Sequence, residues 1–186
     1  MKQELAAELK VVLAFVGAIW AIFLLACLVP SLNNFGLIPR TVTGLVGIPA
    51  MPFLHEDWRH IVSNTPPLLV LLMLLVGSKA RSWTIVVALV LVGGGLLWLF
   101  GRPASHIGAS GLIFGLIGFL IVSGILERRI VPLGVALLVG FLYGGTMLSG
   151  IVPRLGSHVS WEGHLCGVIA GGIVGFALQR QRTLTR

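Results

Sequence analysis

Long apolar runs broken by short polar clusters dominate this chain. Six of them are long enough to be helices crossing a bilayer, which needs about 20 residues for a hydrocarbon core of roughly 30 Å. The pattern predicts spans over about 9–29, 58–76, 82–100, 108–126, 131–149 and 161–178. Pro30 ends the first, Gly-Ser-Lys-Ala-Arg (77–81) closes the second, and Glu127-Arg128-Arg129 stops the fourth. Between the first two lies a long connection, 31–57, rich in Pro, Gly and Asn. Its apolar stretch Gly44 to Leu54 is too short to cross, which predicts a loop lying in the interface or partly embedded.

Composition agrees. The chain is 56% hydrophobic and 10% charged, against roughly 25% charged in soluble domains, and its mean hydropathy is +1.02. The expected fold class is an all-α membrane protein, a single domain over 1–186. The net charge of +7 does not signal nucleic acid, because the basic residues sit in short clusters between apolar runs. Nine of the 13 Lys and Arg residues (Lys2, Lys10, Lys79, Arg81, Arg128, Arg129, Arg180, Arg182 and Arg186) fall on the side of the N-terminus. Arg40, Arg59, Arg102 and Arg154 fall on the other. This excess predicts N-in, C-in. Met1 to Lys10 reads as the cytoplasmic start of a retained helix. Cys27 and Cys166 lie inside apolar runs and read as buried small hydrophobes.

With that orientation, spans two, four and six all start on the outside. Their first turns carry the unusual polar residues: His60 and Asn64, Ser110, and His164. Polar groups inside spans are costly in lipid and tend to face a bundle interior or a water cavity. Four at matched depth predict a site. Gly108, Gly111, Gly115 and Gly118 read as one face of span four, and Gly163, Gly167, Gly171 and Gly175 as one face of span six. Small residues at such spacing let helix backbones approach closely. If these faces meet, Ser110 and His164 come to one height.

A serine hydroxyl needs a base, and neutral histidine suits that task near pH 7. Ser110 is therefore the candidate nucleophile and His164 its candidate base. His60 and Asn64, at i and i+4, share a helix face. Both can donate to the oxyanion formed by attack on a carbonyl, and the Ser110 amide could add a third donor. Glu162 lies two residues from His164 and on another face, so the expectation is a dyad without an essential carboxylate. His106 and His158 are competing bases in outside loops; His106 is expected to cap or line the cavity mouth. An aspartyl mechanism needs two aspartates, and the chain has only Asp57. His55-Glu56-Asp57-Trp58-Arg59-His60 is one residue too long for a zinc-protease pair. Cys166 lacks an obvious histidine on its face. No metal or cofactor is expected.

His55-x-x-x-x-His60-x-x-x-Asn64, Gly108-x-Ser110-Gly111 and Gly163-His164-x-x-Gly167-x-x-x-Gly171 fall in this order on spans two, four and six. In these motifs the chain resembles the rhomboid intramembrane serine proteases, over nearly its whole length. The resemblance implies a six-helix bundle with a partly embedded first loop. It implies Ser110 as nucleophile, His164 as general base and His60 with Asn64 at the oxyanion, supported by Gly108, Gly111, Phe114, Gly163 and Gly167. The family often has Tyr where Phe114 stands, stacked on the catalytic histidine. Many bacterial members carry Trp-Arg in the first loop; here the loop has Pro39-Arg40, and Trp58-Arg59 opens span two. The implied partners are transmembrane protein substrates and the lipid bilayer. The small size points to a bacterial inner membrane, with the site open to the outside. Two rivals are a catalytically silent relative that binds membrane clients, and a small transporter or channel.

Overall fold

The computed structural model describes residues 2–78, 82–153 and 159–184. Lys79, Arg81, Arg154, Arg186 and His158 lie outside the described residues. Among the described residues there are six long helices: α1 (Lys2–Leu28), α2 (Trp58–Ser78), α3 (Ser82–Phe100), α4 (Ser110–Glu127), α5 (Ile130–Gly150) and α6 (Trp161–Leu184). All six are long and apolar enough to cross a membrane. The third matches its predicted span. The first and last extend past theirs, because a helix continues into polar sequence where hydropathy loses it.

α4 is the axis of the bundle. Every residue from Leu112 to Leu120 is buried, so this helix is apolar all round, as a central helix must be. It packs most heavily against α6, then α5, α3 and α2. α5 is the opposite case, with only Pro132, Ala136 and Val139 buried.

The α4–α6 seam is built from glycine. A Cβ at Gly167 would strike the Gly111 carbonyl oxygen, and one at Gly171 the Gly115 carbonyl oxygen. A Cβ at Gly118 would lie 2.7 Å from the Val168 carbonyl oxygen. The two backbones touch directly, which no larger residue permits. Gly108 does not belong to this face. Helix α4 begins at Ser110, and Gly108 sits in the turn before it with φ +116°. Cys27 also departs from expectation: it is exposed on α1, whereas Cys166 is buried. An apolar run does not tell a core-facing position from an outward one.

The first loop is a packed element. Short helical turns at Pro30–Phe35 and over Thr43–Phe53 place Met51, Pro52 and Leu54 in the interior. Phe53 packs edge-on against Phe15 of α1, centroids 5.2 Å apart. Arg40 anchors the other side. Its Nη1 donates to the carbonyls of Leu99 (3.2 Å) and Gly101 (2.8 Å), satisfying acceptors that α3 leaves open at its C-terminus. Trp98 Nε1 donates to the Thr41 carbonyl at 2.9 Å. Leu37 and His106 exchange backbone hydrogen bonds of 3.0 and 2.8 Å, joining this loop to the α3–α4 turn. Together these contacts fix the loop's last residues under the start of α4.

Candidate active site

The site is assembled at the N-terminal ends of α2, α4 and α6. At its centre is the turn Gly108-Ala109. The Gly108 N–H donates to the Met51 carbonyl at 2.9 Å. Its positive φ suits glycine, and space also demands it: a Cβ here would lie 2.5 Å from His60 Nε2 and 3.6 Å from Asn64 Nδ2. Both side chains of the α2 pair therefore come up against the backbone that leads into Ser110. Asp57 makes this possible by capping α2, its Oδ1 accepting from the His60 N–H at 2.7 Å.

Ser110 is the first residue of α4 and is partly exposed. Phe114, one turn later on the same face, stacks flat on the His164 ring, centroids 4.0 Å apart and planes 4° from parallel. His164 is thus held beside the face that carries Ser110. Its Nδ1 lies 3.0 Å from the Gly150 carbonyl oxygen. A carbonyl only accepts, so the proton is on Nδ1, and Nε2 keeps a free lone pair. Among the described residues Ser110 Oγ makes no hydrogen bond. No hydrogen bond joins Ser110 to His164 among the described residues, and such bonds often close only when substrate is present.

Gly111 and Gly163 support this placement. A Cβ at Gly111 would sit 3.6 Å from the Gly163 carbonyl oxygen, so the residues next to Ser110 and His164 are in near contact. Gly167, one turn on, keeps the seam closed. The sequence-predicted residues Ser110, His164, His60, Asn64, Gly108, Gly111, Phe114, Gly163 and Gly167 therefore converge on one end of the bundle.

Two contributors went unassigned at the sequence level. One is the Gly150 carbonyl, which orients His164. A Cβ at Gly150 would strike the Phe114 ring; the available signal was a glycine at the C-terminus of a span, where carbonyls are free. The other is His55, which is 1% exposed. Its Nε2 lies 3.2 Å from Asn64 Nδ2 and 3.5 Å from the Ala109 N–H.

His106 is not available as a base. Its Nε2–H donates to the Arg102 carbonyl at 3.1 Å, and its Nδ1 accepts from Ser160 Oγ at 2.7 Å. Ser160 Oγ in turn accepts from the Gly163 N–H at 3.1 Å, capping α6. His106 thus pins the helix that carries His164. Burial lowers its pKa; the Arg102 carbonyl and Glu162 oppose this, and the Arg102 charge adds to it. Glu162 faces Arg102, Nε to Oε1 3.6 Å, and His164 Nδ1 is met by the Gly150 carbonyl rather than by a carboxylate.

Burial pushes the pKa of His55 down to about 4, the charge of His60 adds to the fall, and the Phe53 backbone opposes it. The sign follows directly. As pH falls below the ordinary value of 6.5, the unfolded chain takes up a proton at His55 that the folded chain refuses until about 4. The stability contributed by neutral His55 is complete above 6.5 and lost between 6.5 and 4. His106 acts in the same direction. Thermal unfolding in detergent should give a melting temperature that falls steadily from pH 7 to pH 4.5, with a shallower slope in His55→Gln. A flat profile in the wild type would contradict this.

Comparison with known proteins adds to this geometry. A family model described as the Rhomboid domain matches residues 39–181, a range containing every candidate residue above. The chain is 40% identical over 178 residues to an uncharacterized protein of Mycobacterium tuberculosis, covering 90% of this chain and 73% of that protein. An uncharacterized protein of Mycobacterium bovis matches to the same extent. One of Mycobacterium leprae is 42% identical over 167 residues, covering 84% of this chain and 65% of its own length.

Proposed function

This chain belongs to the rhomboid family, a family typically of intramembrane serine proteases, and on that premise we propose that it is a serine endopeptidase cutting peptide bonds in or near the transmembrane segments of other membrane proteins. The observation that carries the proposal is the Phe114–His164 stack. Phe114 lies one helical turn after Ser110 on the same face of α4, so its stack with His164 supports a histidine base beside that serine.

A substrate segment reaches the site from the bilayer. Its helix unwinds locally, because helical carbonyls are already bonded and shielded. Small or helix-weakening residues at the scissile bond lower that cost. Ser110 Oγ attacks the carbonyl carbon as His164 Nε2 takes its proton. The oxyanion is met by the Asn64 amide, His60 and the Ser110 N–H at the head of α4. His164 returns the proton to the leaving amine. Water, activated by the same imidazole, then hydrolyses the acyl-enzyme. Every group required comes from this chain, so the mechanism calls for no cofactor.

The protein is an integral multi-pass membrane protein. Its placement in a bacterial cell membrane is supported by the mycobacterial relatives. The charge bias supports N-in, C-in, with the site toward the outside. Residues 1–186 are read as one protease domain. The test is cleavage of a panel of single-span model substrates by the purified protein in liposomes. Cleavage near the outer end of the span is expected. Substrate binding without cleavage across the panel would instead favour the client-binding alternative.

A further inference from the structure

His55, near the end of the first loop, touches both members of the proposed oxyanion pair. His55 is almost wholly buried, and its ring packs edge-on against His60, centroids 4.9 Å apart at 67°. Its carbonyl accepts from Asn33 Nδ2 at 3.2 Å, so the loop holds it from behind. Its Nε2 faces two donors, the Asn64 amide and the Ala109 N–H. Two N–H groups aimed at one nitrogen require that nitrogen to be unprotonated.

We propose that His55 is a positioning residue: its Nε2 lone pair holds one Asn64 N–H and the Ala109 N–H, so that the second Asn64 N–H and the Ser110 N–H that follows Ala109 are presented to the reacting carbonyl. An asparagine amide can turn over by a half-rotation, exchanging oxygen for nitrogen. Turned over, Asn64 would set its oxygen against the His55 lone pair, acceptor against acceptor. His55 therefore selects the orientation with Nδ2 toward the Gly108 turn, from which Nδ2 lies a Cβ contact of 3.6 Å. One Nδ2 hydrogen goes to His55, leaving the second for the oxyanion. The hydrogen bond from Ala109, the residue before Ser110, steadies the start of α4. A chain of contacts thus runs from Asn33 in the first loop through His55 to the proposed site.

This inference rests on the protease reading for its kinetic consequence but not for its structural one. The test uses the full-length protein in detergent, as wild type, His55→Ala, His55→Gln, Asn64→Ala and the double variant His55→Ala/Asn64→Ala. A fluorophosphonate probe reports the inactivation rate kinact and the apparent affinity KI. His55→Ala should lower kinact about tenfold to a hundredfold, the scale of a misplaced catalytic group, with KI unchanged. His55→Gln, which restores an acceptor, should recover most of the rate. The double variant should be slower than Asn64→Ala by much less than the factor His55→Ala costs alone, since most of the effect of the first residue runs through the second. Losses that multiply in the double variant would overturn the proposal, as would a stably folded His55→Gln as slow as His55→Ala. Amide hydrogen exchange at Ala109 needs no catalysis. It should quicken in His55→Ala and return toward wild type in His55→Gln; exchange equal in all three overturns the proposal. A wild type that never labels, yet shows the Ala109 effect, defeats the protease reading and leaves the positioning role standing.

Discussion

Ser110→Ala is expected to abolish substrate cleavage and leave the fold intact. The structural cost is small because the hydroxyl is partly exposed and, among the described residues, makes no hydrogen bond. The chemical cost is the loss of the acyl-enzyme route. Removing the nucleophile of a serine protease lowers kcat by about six orders of magnitude, and the proposed mechanism sets the same scale here. Cleavage rates and a thermal unfolding curve, measured on the same preparation, check both halves. Cleavage that survives would remove Ser110 from the mechanism. Cleavage lost together with the melting transition would mean that Ser110 is needed for the fold.

The second large effect lies in the seam behind the site. Gly167→Leu puts a branched side chain where a lone Cβ already strikes the Gly111 carbonyl oxygen and comes within 3.1 Å of the Gly115 nitrogen. Both are backbone atoms of α4, so neither can turn aside. The helices must separate, losing packing along α4 and drawing Ser110 away from His164. Overpacking of side chains alone costs about 1–3 kcal/mol, and a backbone obstacle should exceed that. Gly172→Leu is the matched control. It lies on the same helix, and a Cβ there meets nothing within 4 Å, so its effect should stay within about 0.5 kcal/mol. Thermal unfolding of the two variants in detergent, with cleavage measured alongside, separates seam packing from generic loss of a glycine. Equal losses in the two would contradict the seam.

The glycine spacing that made this seam legible in the sequence also misled at one position. Gly108 has the right interval to extend the α4 face, but interval says nothing about where a helix starts. Its real constraints, a positive φ and the His60 ring against its Cα, come from the fold around it. The six spans could be read because twenty apolar residues have few other uses, and parity then put His60, Asn64, Ser110 and His164 at one end. The contribution of Gly150 left only a faint mark, a glycine at the end of a span, because the acting group is a carbonyl, which every residue has. Arg40 was visible as a charge, but its role of capping α3 depends on where the loop folds. His55 was visible as a letter in a motif; only burial between Asn64 and Ala109 gives it a task. Cys27 shows the converse, since lipid-facing and core-facing positions share one hydropathy.

The central claim is that a hydroxyl on α4 is made nucleophilic by an imidazole on α6. Fluorophosphonate labelling of the folded protein, mapped by peptide mass spectrometry in wild type and His164→Ala, tests it most directly. The account predicts a single adduct on Ser110 in the wild type and labelling slowed by several orders of magnitude in His164→Ala. An adduct on another serine, or Ser110 labelling at the wild-type rate without His164, would contradict it.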